Sequence, residues 1–129
     1  MAIKYKLVEK GEPGVVGGGT KKWYARCITD GELTIDDLVE QIEKFSALSE
    51  ADIKGVIIAL ENVIQNAIAD SKIVRLEKLG SLYPSISSKG ANREEDFVAN
   101  TMIEKVNVRY RPGKRIADSV RNAGFKKQS

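Results

Sequence analysis

Residues 14–22 read GVVGGGTKK and hold the spacing in this chain that most suggests nucleotide chemistry. Gly14 and Gly19 are placed as in a loop whose backbone N–H groups cradle phosphates. Such a loop needs Lys and then Ser or Thr directly after its last glycine. Here Thr20 comes first and Lys21 second. The following segment, KWYARCI (22–28), carries aromatics and isoleucine and stops at Thr29-Asp30-Gly31, which predicts a strand and not the helix that a phosphate loop opens. The expectation is therefore a turn between two strands, since glycine reaches positive φ at little cost and Pro13 fixes its own φ.

Other chemistry is sparse. The chain has no histidine, which removes the commonest general base and the commonest transition-metal ligand. One cysteine, Cys27, allows no intramolecular disulfide and no structural zinc site; it is expected to be a small buried hydrophobe. The carboxylates fall on predicted helix surfaces, without an apolar pair that would drive two pKa values apart. These features argue against an enzyme, a metal site and a cofactor.

The cations are a better lead. Residues 30–50 hold Asp30, Glu32, Asp36, Asp37, Glu40, Glu43 and Glu50 against Lys44. Residues 105–127 hold Lys105, Arg109, Arg111, Lys114, Arg115, Arg121, Lys126 and Lys127 against Asp118. A basic end on a chain of pI about 9.0 suggests a polyanion, and nucleic acid is the usual one. The total of 129 residues, 42% hydrophobic and 30% charged, fits a soluble globule with a modest core. No apolar run reaches membrane-span length, and MAIKYKLVEK lacks the apolar stretch of a signal peptide, so a cytosolic location is expected.

The elements that position these cations follow from periodicity. IKYKLV (3–8) alternates Ile3, Tyr5 and Leu7 with Lys4 and Lys6, a strand pattern that pairs with KWYARCI across the glycine turn. Thr34 with Asp37 resembles a capping box, and Ile35, Leu38, Val39, Ile42 and Phe45 then recur at helical spacing. Ser49 with Asp52 opens a longer helix striped by Ile53, Val56, Ile57, Leu60, Val63, Ile64, Ala67 and Ile68. That stripe exceeds what one short helix and a small sheet cover, so a dimer is expected. KIVRLEKLGSLYPSISS (72–88) is β-rich with a turn at Glu77–Gly80, and its Lys72, Arg75 and Lys78 read as either phosphate contacts or charges that block an edge strand. KGANREEDFVANTM (89–102) is polar and has no strand pattern. EKVNVRYR (104–111) puts Val106, Val108 and Tyr110 on one face, and Lys105, Asn107, Arg109 and Arg111 on the other. Pro112-Gly113 stops it, and KRIADSVRNA follows as a short helix closed by Gly124.

In this order the elements resemble the bacterial HU/IHF histone-like DNA-binding family. The resemblance covers roughly residues 33–124. VRLEKLGSL stands in place of the family's V-x-L-x-G-F-G-T-F and resembles it, with Leu79, Gly80, Ser81 and Leu82 at its F-G-T-F; VRYRPGKRIADSV resembles its last strand and G-K-x-L-K-x-x-V helix, with Gly113 and Lys114 at Gly-Lys. The N-terminal strands resemble those of a longer HU-like subgroup. The resemblance implies an α+β, intertwined homodimer with a helical base, a β-sheet saddle and two β-arms, plus an N-terminal strand extension. Two regions follow: residues 1–31 as a hairpin extension and 32–129 as the DNA-binding domain. It implies double-stranded DNA as the partner, bound with little sequence preference in the cytoplasm, and nucleoid organisation or compaction as the role. In the family an Arg-Asn-Pro-x-Thr-Gly arm tip inserts proline between base pairs. Here Asn92 is followed by Arg93, Glu94, Glu95 and Asp96, so the wedge is missing. Phe97 and Met102 either replace it or pack back on the body. The expected phosphate contacts are Arg109 and Arg111 first, then Lys105, Lys114, Arg115 and Arg121, with Lys89 and Arg93 from the arm. The acidic tip motivates an alternative, a structural or interaction dimer that has lost strong DNA binding.

Overall fold

The computed structural model describes residues 1–128; residue 129, the last of the expected DNA-binding domain, lies outside the described residues. Contacts divide the chain into two units. One holds Met1–Thr34 and the residues from Ala117 onward, and the other holds Ile35–Ile116.

In the first unit, β1 (Ile3–Lys10) pairs antiparallel with β2 (Lys22–Cys27), with Tyr5 opposite Cys27 and Lys10 opposite Lys22. The connection between them contains a short 3-10 turn, Val16–Gly18. Gly14, Gly17, Gly18 and Gly19 all have positive φ. A Cβ on Gly11 would come within 2.8 Å of the Gly18 backbone, so the close approach of the loop's ends needs glycine at 11, while Gly18 is suited by its φ of 84. Lys22 closes the neck on Glu12 at 2.7 Å. The strand β2, and not a helix, follows Lys21. The backbone thus has no helix N-terminus here to hold a phosphate.

Cys27 is exposed, contrary to the buried position expected for it. Every β2 side chain but that of Tyr24 is exposed, so little covers the faces of this strand. The third strand, β6 (Phe125–Lys127), was not anticipated and runs parallel to β1. It is too short to show a period in sequence. It forms because Gly124, at φ 79, turns the chain so that its carbonyl accepts from Ile3 N at 2.9 Å, while Gln128 N donates to the Tyr5 carbonyl at 2.8 Å.

In the second unit, α1 (Ile35–Glu43) packs on α2 (Glu50–Ala69), and α2 packs on β3 (Val74–Arg75) and β4 (Gly80–Ser88). The expected cap is present: Ser49 Oγ accepts from Asp52 N at 3.2 Å. Val39 and Ile53 are buried at the α1–α2 contact, 3% and 4% exposed, and Lys54 bridges to Asp36 at 3.0 Å. Elsewhere the apolar stripe of α2 is only partly covered: Ile57, Ile64, Ala67 and Ile68 are half-buried, while Val56 and Val63 are 62% and 65% exposed. Twenty residues make α2 about 30 Å long, well beyond what α1 covers.

β4 pairs antiparallel with β5 (Ile103–Pro112), giving the order β3-β4-β5. Two glycines permit the crossing at the base of this sheet. Gly80 has φ 118, and a Cβ there would overlap the Arg111 carbonyl oxygen; a Cβ on Gly113 would overlap the Lys78 carbonyl oxygen. Tyr110 Oη donates to the Leu79 carbonyl at 2.6 Å across the same corner. Then α4 (Lys114–Arg121) begins, and the boundary between the two units falls within it.

The ribbon does not extend into a β-arm. β4 ends at Ser88 and β5 starts at Ile103; between them lie a 3-10 turn, Glu94–Asp96, and one helical turn, α3 (Ala99–Met102). Lys89 N donates to the Met102 carbonyl at 2.7 Å, which closes the loop at its base. The polar composition without alternation gives no face to pair, so local turns replace the ladder. Met102 is folded back within the loop, its Sδ accepting from Val98 N at 3.3 Å.

Candidate nucleic-acid interface

The register of β3, β4 and β5 sorts every side chain of the second sheet by face. Leu82 stands opposite Tyr110, Pro84 opposite Val108, and Ile86 opposite Val106, forming an apolar face. Ser81 stands opposite Arg111, Tyr83 opposite Arg109, Ser85 opposite Asn107, and Ser87 opposite Lys105, forming the other. Arg75 joins this second face, since it pairs with Ser81. The polar face therefore carries Arg75, Lys105, Arg109 and Arg111, and no carboxylate occurs among its cross-strand pairs.

Local contacts engage two of these cations without a carboxylate. Arg109 Nε donates to Ser85 Oγ at 3.2 Å. The Arg111 guanidinium lies 6.0 Å from the centre of the Tyr83 ring, a stacking distance that costs it no charge. Ile73, Arg75, Ser81, Tyr83 and Arg111 line a shallow hollow of about 190 Å³. Hydroxyls and guanidinium groups around such a hollow match the acceptor-only oxygens of a phosphate.

The remaining expected contacts are not equivalent. Lys114 and Arg115 are exposed in the first turn of α4, which has no acidic residue there. Cations at that end oppose the helix dipole, so helix stability does not account for them. Arg121, in the last turn, pairs with Asp118 at 3.6 Å. Lys89 sits at the base of the 89–102 loop. Arg93, inside it, is shared between Asp96 at 3.3 Å and Glu95 at 3.6 Å. Exposed pairs of this kind are weak, yet they cancel the charge a phosphate would meet. The structure thus gathers Lys105, Arg109 and Arg111 on one surface and leaves Arg93 engaged with its neighbours.

Sequence reasoning left Arg75 between two roles and missed those open to Ser81, Tyr83 and Ser85. The signal was present as the alternation of Ser81, Tyr83, Ser85 and Ser87 with Leu82, Pro84 and Ile86. The face Arg75 takes was not legible, because only the two-residue pairing of β3 assigns it.

On the apolar side, α2 and the sheet bound an open groove of about 710 Å³ lined by Ile64, Ile68, Leu82, Pro84, Ile86 and Val108, among others. Val106 and Val108 are 74% and 61% exposed in the single chain. Among the described residues no helix is long and apolar enough to cross a membrane, and no three His, Cys, Asp or Glu side chains gather as a metal site.

No curated protein matches this sequence. A solved structure from Bacteroides vulgatus ATCC 8482, of a candidate bacterial DNA-binding protein, is similar in fold, with a TM-score of 0.67 at 12% sequence identity. The match covers 98% of this chain and 48% of that one, so this chain spans about half the length of its structural relative. Residues 1–127 match the HU-HIG family, described as an HU domain fused to a wHTH, Ig or glycine-rich motif. Nearly the whole chain is covered by that match, and its α+β content of helices and two small sheets fits an HU-like fold: the protein belongs to the HU-HIG family.

Proposed function

We propose that this protein is a homodimeric, largely sequence-independent double-stranded DNA-binding protein that organises or compacts DNA in the bacterial cytoplasm. The observation that carries this reading is the one-sided charge of the second sheet: Arg75, Lys105, Arg109 and Arg111 share a face without a carboxylate, and the valines between them share the opposite face. Phosphate neutralisation is the mechanism. Guanidinium and ammonium groups displace condensed counterions, which binds and orients the duplex without reading its bases. Lys114 and Arg115 add cations at a helix N-terminus whose backbone N–H groups also favour anions. Arg121, Lys89 and Arg93 contribute less, the first and last because carboxylates already face them.

Dimerisation supplies the cover that the apolar side lacks. Family membership supports it, as does the exposure of Val56, Val63, Val106 and Val108 in one chain. The 89–102 loop offers no paired ribbon and no proline wedge, which favours binding and compaction over sharp kinking.

The test is fluorescence anisotropy against salt concentration with two unrelated duplexes. Each phosphate contact adds roughly 0.9 to the log–log slope. Arg109→Ala with Arg111→Ala, counted over two subunits, should lower the slope by about 2 to 4 and weaken both duplexes alike. An unchanged slope excludes this face. Absence of binding to any duplex at low salt favours instead an HU-like interaction dimer without a DNA role.

A further inference from the structure

The first unit carries a second charge pattern that the reading of β5 does not use. Strand register places six cations on one face of the β2-β1-β6 sheet. Lys6 stands opposite Arg26, Lys10 opposite Lys22, and Lys4 opposite Lys126. Like charges directly opposite one another weaken a sheet. Lysines on an edge strand guard against aggregation. That explanation fails for Lys4, where β1 is flanked on both sides; at Lys6 and Lys10, beyond the Ile3–Tyr5 pairing with β6, one edge of β1 is open and edge protection accounts for part of the charge. Two of the six are neutralised locally, Lys4 by Asp30 and Lys22 by Glu12. Lys6, Lys10, Arg26 and Lys126 have no carboxylate within ion-pair distance among the described residues. Lys10 instead lies over the Tyr24 ring, 5.1 Å from its centre.

We propose that this face is a second double-stranded DNA contact, made through the phosphate backbone. It rests on the reading of the chain as a DNA-binding protein. The chemistry of the face selects the occupant. A membrane surface would require large apolar side chains among the cations to enter the headgroup boundary; here the only apolar or aromatic neighbours on the paired positions are Val8 and Tyr24, both half-buried. A single strand would require exposed aromatic rings on which bases stack; Tyr24 is half-buried and covered by Lys10. A regular duplex needs only outward cations at intervals, and same-face residues along β1 recur about every 6.8 Å.

The experiment uses the full chain. Lys6→Ala, Lys10→Ala and Arg26→Ala together should lower the salt slope for duplex binding by about 2 to 3 per subunit, whatever the sequence. The charge-preserving set Lys6→Arg, Lys10→Arg and Arg26→Lys should keep the slope. A second measurement needs no variant: saturating duplex should reduce acetylation of Lys6, Lys10 and Lys126 in the unmodified protein, read by mass spectrometry. In Arg109→Ala, Arg111→Ala that protection should persist at low salt, which separates this surface from the β5 face. A protein that binds duplex with its N-terminal lysines fully reactive overturns the proposal and leaves the β5 reading intact. Protection by phosphatidylserine vesicles or by single-stranded RNA, but not by duplex, also overturns it. A chain that binds no duplex at low salt overturns both.

Discussion

Val108 is the position where a single substitution tests whether the chain dimerises. It lies on the apolar face of β5, opposite Pro84, on the wall of the groove between α2 and the sheet. In the single chain it is 61% exposed. If the monomer were the working form, Val108→Asp would cost no more than about 1 kcal/mol, the range of β-propensity differences on an open strand. If a second chain covers the face, two costs arise in each subunit. The burial completed by the partner is worth roughly 1 kcal/mol, taking about 2 kcal/mol for a fully buried valine. A carboxylate without a partner in that interface adds several kcal/mol. About 4 kcal/mol per subunit gives about 8 per dimer, or between ~10⁵-fold and ~10⁶-fold in the dimer dissociation constant. Sedimentation equilibrium at low micromolar concentration should give about twice the 14.2 kDa chain mass for the unmodified protein. The aspartate variant should be monomeric or unfolded, and Lys105→Asp, on the other face of the same strand, should remain dimeric. Urea midpoints that rise with protein concentration would mark coupled folding and assembly. A stable monomer of the unmodified protein, with Val108→Asp within 1 kcal/mol of it, refutes the reasoning.

Three further outcomes are expected. Gly80→Ala forces a side chain onto a backbone at φ 118 and against the Arg111 carbonyl, so it should cost about 3 kcal/mol or more in chemical denaturation, whereas Gly55→Ala, an open position in α2, should gain up to about 1 kcal/mol. Replacing residues 11–21 by Asn-Gly joins Lys10 directly to its partner Lys22 in a two-residue turn; the fold should persist, thermal stability should rise by up to about 1 kcal/mol, and duplex affinity should stay within about threefold. The hydrogen bond from Lys4 and its charge, with a smaller contribution from Lys126, hold the Asp30 carboxyl below the usual carboxylate range. A lowered native pKa means that this stabilisation is present above the unfolded pKa and is lost as pH falls through the native one. NMR titration of Asp30 should therefore show a low midpoint that rises toward the ordinary value in Lys4→Met; an unmoved midpoint would remove Lys4 as the cause.

Much of this molecule follows from periods and punctuation in the chain. The first two helices are legible because Ile35, Val39 and Ile42 repeat at helical spacing, and later Ile53, Val56, Leu60 and Ile64 do so behind a serine cap that the structure contains. The two faces of β5 are legible because strict alternation fixes which side chains share a side once the strand exists. Gly80 and Gly113 mark the base of the sheet, and their positions follow from a backbone crossing that admits no Cβ.

What the sequence could not decide depends on which strands meet. β6 has three residues and no period, so only its pairing with β1 reveals it. Arg75 and Tyr83 join Arg109 and Arg111 through cross-strand register, which is a property of two distant segments and of neither alone. The same holds for the basic face of the first sheet. Lys4, Lys6 and Lys10 alternate visibly along β1, but Arg26 and Lys126 stand beside them only because the glycine turn sets one register and the closing turn at Gly124 sets the other. Period is written locally, since each residue's direction follows from its own backbone; charge clustering across strands is a long-range property, which the tertiary fold alone determines.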